Sequence, residues 1–133
     1  MTEQSTAKPT CPKVLLVDDE EGYATILSKR LSNRDFRVTA TFSGASGIQA
    51  LRKEDFDVAV VDLKMEDMDG IEVLKIFKKM LPGMAVIMLT GHGSERAARE
   101  GIEFGAFDYL SKPCELDELV AKIRLACELS QNG

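Results

Sequence analysis

Short aliphatic runs recur along the chain: Val14 to Val17 in VLLVDDEEG, Val58 to Val61 in DVAVVD, Met84 to Leu89 in MAVIMLT, and Phe107 to Leu110 in FDYL. Apolar side chains on consecutive positions are what a strand needs when both of its faces are covered, as in a parallel sheet between helices. A weaker alternation, Phe36, Val38, Ala40 and Phe42, predicts one more strand nearer an edge. Between these runs the spacing becomes helical. Tyr23, Ile26, Leu27 and Leu31 fall at i, i+3, i+4 and i+8, with Asn33 placed to close the helix. Ile48, Ala50 and Leu51, then Ile71, Leu74 and Phe77, mark two more helices. SERAAREGIEF supplies a less hydrophobic fourth, and Leu116, Leu119, Val120, Ile123 and Cys127 a fifth. Strand and helix thus alternate five times, which predicts an α/β fold with a doubly wound parallel sheet and right-handed crossovers. In such sheets ligands sit beyond the carboxyl ends of the strands, so the residues that end each strand are the ones to inspect.

Composition narrows the classes without changing that picture. The 133 residues, 44% hydrophobic and 29% charged, fit a single domain able to bury a core without staples. A net charge of −5 argues against a nucleic-acid-binding surface, so a phosphate would have to be met by particular cations. Cys11, Cys114 and Cys127 are odd in number and lack CxxC spacing, which predicts reduced thiols and a cytoplasmic setting. No run approaches the roughly eighteen apolar residues of a membrane span, and MTEQSTAKPTCPK lacks the apolar stretch of a signal peptide. The expected layout is a disordered tail over residues 1–11, one domain over 12–130 and a short tail over 131–133, with no room for an attached output domain.

The strand ends carry the chemistry. The first strand ends at Asp18 and Asp19, the third at Asp62 and the fourth at Thr90, and the fifth is followed by Ser111 and Lys112. On one edge of a parallel sheet these bring together three carboxylates, a hydroxyl and an ammonium. Carboxylates at close range raise one another's pKa unless a cation holds them ionised. All-oxygen ligation suits Mg²⁺, with Mn²⁺ as a substitute, and such a metal keeps waters and shares its shell with a phosphate. A carboxylate beside a metal, a lysine and a threonine is equipped to attack phosphorus and form an aspartyl phosphate.

VLLVDDE at the first strand, DVAVVDLKMEDMDG at the third, VIMLTGHG at the fourth and GAFDYLSKP at the fifth resemble the receiver domains of two-component response regulators, of the chemotaxis-regulator type. The resemblance covers about Lys13 to Leu129. It implies a flavodoxin-like (βα)5 three-layer sandwich with strand order 2-1-3-4-5. It further implies that Asp62 accepts a phosphoryl group from the phosphohistidine of a partner histidine kinase or phosphotransfer protein. Asp19 would bind Mg²⁺ directly and Asp18 through water, with Asp62 and the backbone carbonyl of Lys64 completing the protein's share. Thr90 and Lys112 would grip the phosphoryl oxygens, and Tyr109 would be the aromatic switch that follows Thr90. The signal would be a population shift across the fourth helix, fifth strand and fifth helix, altering binding to a downstream protein or attached output domain, with a homodimer through that face as one outcome. Lys112-Pro113 matches a position where the family often has a cis peptide. Two departures stand out. Where the family often has Met-Pro, this chain has Met65-Glu66; and Lys64 and His92 occupy the variable positions that, as implied by the resemblance, set the lifetime of the phosphorylated state.

Plainer readings stand beside these. Glu20 and Glu21 are assigned to the dipole of the helix they open. Tyr109 could be simple core packing, His92 a residue of a mobile glycine loop, and the methionines core filler. Asp69-Gly70 and Gly105 read as turn chemistry. A phosphatase or phosphotransferase with an aspartyl nucleophile is a competing function, but Lys64 stands where a second acid would serve as general acid. A flavin-binding protein of the same topology is another, although its first turn would not carry four acids.

Overall fold

In the computed structural model, residues 11–91 and 95–132 are described. They form β1 (Lys13–Val17), α1 (Glu21–Ser32), β2 (Arg37–Thr41), α2 (Gly44–Lys53), β3 (Val58–Asp62), α3 (Gly70–Met80), β4 (Ala85–Thr90), α4 (Glu95–Glu103), β5 (Asp108–Ser111) and α5 (Leu116–Asn132). The sheet order is β2-β1-β3-β4-β5 with every pairing parallel. This is the expected flavodoxin-like order. α5 extends to Asn132, past Leu129 where its apolar spacing ends.

Alternation along the central strands divides the core into two layers. Val14, Leu16, Val58, Val60, Ile87 and Leu89 face α1 and α5, meeting Ala24, Leu27 and Leu31 from one and Leu119, Val120 and Ile123 from the other. Leu15, Val17, Ala59, Val61, Val86 and Met88 point the opposite way, against Leu51 of α2 and Val73, Leu74 and Phe77 of α3. Side chains on both faces are therefore buried, which is why β1, β3 and β4 read as unbroken apolar runs. Each such Val, Leu or Ile contributes roughly 1.5–3 kcal/mol of hydrophobic stabilisation.

β2 and β5 are the edges and are only partly buried. The alternating segment of the sequence is β2 with its flanks: Phe36 is buried, Val38 and Ala40 pack against the α1/α5 layer, and Phe42 is exposed. α4 is the least anchored helix by side-chain size, since the residues it buries are Ala98 and Gly101. Gly101 lies where an added Cβ would come within 3.3–3.7 Å of Ile71, Met88 and Leu74, so the helix backbone rides close to the core.

Two local devices set where loops meet the sheet. Asp69 caps α3, its side chain accepting from the Ile71 N–H at 3.1 Å. The next residue, Gly70, is packed so tightly that a Cβ would fall 2.4 Å from the Asp62 carbonyl oxygen and 2.7 Å from the Leu63 Cα. Only glycine allows α3 to begin against the end of β3. Gly105, at φ +109°, adopts the left-handed conformation that follows α4. Lys112-Pro113 is a cis peptide.

Candidate functional site

Parallel register aligns the strand ends. Val17 pairs with Val61, Asp62 with Leu89, and Thr90 with Ser111, so Asp18, Asp62, Thr90 and Lys112 lie across neighbouring strands at one edge. The backbone is tied there too: the Leu63 N–H donates to the Leu89 carbonyl at 2.8 Å and the Lys112 N–H to the Thr90 carbonyl at 2.7 Å. Asp18 and Thr90 are fully buried and Asp62 is 5% exposed. Asp19, one residue further along, is half-buried and opens on a groove whose lining includes Asp62, Lys64, Glu66, Gly91 and Lys112.

Lys112 is the hub of the charge network. Its Nζ lies 3.0 Å from Asp18 Oδ2, 3.6 Å from Asp62 Oδ1 and 2.5 Å from Glu20 Oε1. It also sits over the ring of Tyr23, 4.7 Å from the centroid. Burial alone disfavours this ammonium, but hydrogen bonds to Glu20 and Asp18 and the charges of Asp62 and Asp18 outweigh it and hold its pKa above the ordinary lysine value. Asp62 shows the opposite balance. Burial, then the charge of Asp18, pushes its pKa up to about 6; Lys112 opposes this, and Asp19 and Glu20 add to it. One lysine does not neutralise this group of acids.

Asp18, Asp19 and Asp62 can each offer one carboxylate oxygen, and these atoms lie within 4.8 Å of one another. Such hard oxygen donors with surplus negative charge, beside an open groove, fit a divalent cation of the Mg²⁺ type. Two of the three are already oriented by backbone donors: Glu20 N–H to Asp18 Oδ1 at 2.9 Å, and Glu66 N–H to Asp19 Oδ2 at 2.8 Å. Thr90 supplies a different signal. Its hydroxyl is buried and has no hydrogen-bond partner among the described residues, a state that costs about 1–3 kcal/mol in a folded protein. A hydroxyl held in that way is available to an oxygen arriving in the site.

Asp18, Asp19, Asp62, Thr90 and Lys112 therefore converge as their strand-end positions predict. Lys64 is exposed at the rim, joined by a bridge to Asp69. Tyr109, on β5, is half-buried and packs against the α2/α3 core layer. His92 lies outside the described residues. Glu21 sits in the first turn of α1 and Glu20 at its N-cap, where the helix-dipole reading puts them; the Glu20 side chain makes no cap bond and in addition reaches Lys112. Tyr23, read from the sequence only as an apolar helix position, also lies against Lys112. Glu20 immediately follows the acidic pair at a strand end, which was the available signal; nothing in the periodicity marks the lysine as its partner.

Comparison with known proteins agrees with this geometry. The family described as "Response regulator receiver domain" matches residues 14–124, and the chain belongs to that family. The family is a regulatory domain of two-component systems. A curated relative, the transcriptional regulatory protein GlrR of Escherichia coli (strain K12), is 39% identical over 117 residues, covering 88% of this chain and 26% of the relative. The putative response regulator NtrX-like of Rickettsia bellii is 32% identical over 120 residues, covering 89% of this chain and 25% of the relative. This chain thus spans about a quarter of the length of these curated relatives. Among solved structures, a response regulator receiver domain protein from Clostridium thermocellum superposes with a TM-score of 0.87 at 32% identity, covering 90% of this chain and 97% of that one. Among the described residues no helix is long and apolar enough to cross a membrane.

Proposed function

We propose that this chain is a phosphorylation-activated switch in which Asp62 accepts the phosphoryl group. The observation that carries the reading is Lys112 held 3.6 Å from a buried Asp62 whose charge is incompletely neutralised, with the Thr90 hydroxyl, unpartnered among the described residues, on the adjacent strand. A carboxylate oxygen of Asp62 attacks phosphorus, and the P–N bond of a kinase phosphohistidine breaks with its electron pair leaving on the imidazole. The product is an acyl phosphate. Phosphoryl transfer asks mainly for positioning and for charge balance on the equatorial oxygens. Lys112 neutralises one of these, and Thr90 donates its hydroxyl to another.

Asp19, Asp62 and the Lys64 carbonyl would hold Mg²⁺, or Mn²⁺ in its place, with Asp18 acting through water. The cation would supply charge neutralisation for the reacting oxygens. Thr90 is drawn toward the phosphoryl group, Tyr109 follows it as the aromatic switch, and the face built from α4, β5 and α5 shifts its population. Lys64 and His92 set the lifetime of the phosphorylated state by crowding or ordering the attacking water. The switching unit spans residues 12–130 and works in the cytoplasm on its own chemistry of signalling rather than as an enzyme with turnover. Its partners are a histidine kinase or phosphotransfer protein and a downstream protein or output domain. The second role is supported by the greater length of relatives named as transcriptional regulators. Homodimerisation through α4, β5 and α5 is one way the output could be made; direct contact with nucleic acid or membrane by this unit is not part of the reading.

Incubation with Mg²⁺ and acetyl phosphate or phosphoramidate, followed by intact mass measurement, tests this. A phosphate-sized increase that is lost in Asp62→Asn is expected. Rapid turnover of phosphate esters, or an unchanged adduct in Asp62→Asn, would point to a different chemistry.

A further inference from the structure

At rest Lys112 is already occupied. An ammonium has three N–H donors, and it meets two oxygens at hydrogen-bond distance: Asp18 Oδ2 at 3.0 Å and Glu20 Oε1 at 2.5 Å. Asp62 Oδ1, at 3.6 Å, lies beyond that reach. The cation nearest the proposed acceptor is therefore held more closely by its neighbours than by the acceptor itself. The two carboxylates that hold it differ in what release would cost. Asp18 has no exposed side-chain surface, and its other oxygen accepts from the Glu20 N–H at 2.9 Å. Parting Asp18 from the lysine would leave a buried charge without its partner. The Glu20 side chain, by contrast, is 63% exposed and makes no cap bond to α1. Water solvates its carboxylate once it lets go, and an exposed ion pair of this kind contributes little to stability. The hydrogen bond from its own N–H to Asp18 keeps the backbone in place, so the side chain of Glu20 is free to rotate away from a fixed attachment point.

We infer that Glu20 is a displaceable counter-ion of Lys112, a positioning residue that holds the ammonium at rest and yields it to a phosphoryl oxygen. The inference rests on the reading of Asp62 as the phosphoacceptor. A phosphoryl group arriving at Asp62 brings about two negative charges beside Lys112. It competes for the ammonium more strongly than a single carboxylate does, and it repels Glu20 toward solvent. Asp18 stays in place, so Lys112 keeps its buried partner and exchanges the exposed one. Glu20 thereby acts as a brake: each phosphorylation has to undo its ion pair, and removing the charge at position 20 speeds the reaction.

The test measures the rate of phosphorylation by acetyl phosphate, followed by intact mass, in the parent chain, E20Q, E20A and E21Q. Saturating Mg²⁺ removes any contribution from altered metal affinity, and salt near the physiological level screens distant charges. E20Q and E20A should react about three- to fivefold faster than the parent, the factor that an exposed ion pair is worth. E21Q, which removes the same charge from the first turn of α1, should stay within about twofold. A second measurement reads the contact itself: the carboxyl carbon resonance of Glu20, assigned by its loss in E20Q, should move on phosphorylation to the position that it has in unphosphorylated K112A. E20Q and E20A no faster than E21Q, or a Glu20 resonance that phosphorylation leaves unchanged, would overturn the inference. Should the parent take up no phosphate that Asp62→Asn abolishes, the phosphoacceptor reading falls and the inference falls with it. Should the parent be phosphorylated on Asp62 and only the Glu20 effects be missing, that reading survives alone.

Discussion

Replacing Asp62 with asparagine should make the metal-free protein more stable, although it removes the residue proposed to carry the phosphoryl group. Burial and the neighbouring Asp18 lift the Asp62 pKa from an ordinary 3.8 to about 6, even with Lys112 opposing. An acid whose folded-state pKa lies above its unfolded value destabilises the fold once it is ionised. The penalty is absent at a pH below the unfolded value, grows between the two values, and is complete above the folded one. A gap of about 2 pKa units corresponds to about 3 kcal/mol at 1.36 kcal/mol per unit, and relaxation of the groove reduces this, so an effect on the order of 1–3 kcal/mol is expected. Asparagine matches the carboxylate in size and keeps an oxygen able to accept from Lys112, but it has no charge for Asp18 to repel. Urea unfolding of parent and Asp62→Asn in chelator would measure the difference, at about pH 7.5 and again at about pH 4.5, where the gap should shrink. A variant no more stable than the parent at the higher pH, or a gap that does not change with pH, would refute the electrostatic reasoning.

Four further outcomes follow from the same geometry. Adding Mg²⁺ to the parent should raise the melting temperature by an amount equivalent to about 2.7 kcal/mol at a hundredfold excess over Kd, and Asp19→Ala should blunt that rise in a thermal scan. Thr90→Val removes a buried hydroxyl without a described partner; it should leave stability within about 1 kcal/mol of the parent or above it, yet slow phosphorylation by acetyl phosphate measured by intact mass. Gly70→Ala places a methyl against the Asp62 carbonyl and should destabilise the fold by about 1–3 kcal/mol, measured by denaturant unfolding. Lys64→Ala and His92→Ala should each change the dephosphorylation rate followed by phosphate release; unchanged rates in both would remove them from the account of lifetime.

The parts of this protein that were legible in its sequence are those governed by burial. β1, β3 and β4 announce themselves because helices cover both faces, and Asp18, Asp62, Thr90 and Lys112 are found by asking what ends each run in a parallel sheet. Asp69-Gly70 is visible as a turn, but the reason glycine is required, the approach of Asp62 and Leu63, is visible only in the packing. The contacts that were not legible join residues far apart through loops. Lys112 meets Glu20 across 92 positions, Glu66 meets Asp19 across 47, and Asp67 meets Gly44 across 23. No periodicity encodes such pairs, since they depend on how each loop leaves its strand. The Lys112 contact of Glu20 is hidden for this reason: a carboxylate at the start of a helix satisfies the dipole argument equally well whether it faces solvent or a lysine.

The thin anchoring of α4 has a mechanical meaning. A helix seated by Ala98 and Gly101 rather than by branched side chains has no deep knobs to withdraw before it slides or tilts, so its position can be altered without opening a large cavity. In the opposite layer, Leu27, Leu31, Leu119 and Ile123 are keyed between strands, so a comparable displacement there would open more space. The molecule is in this sense asymmetric: one flank works as a chassis and the other as a gear. Moving α4 would therefore disturb less packing than moving a helix seated by branched side chains.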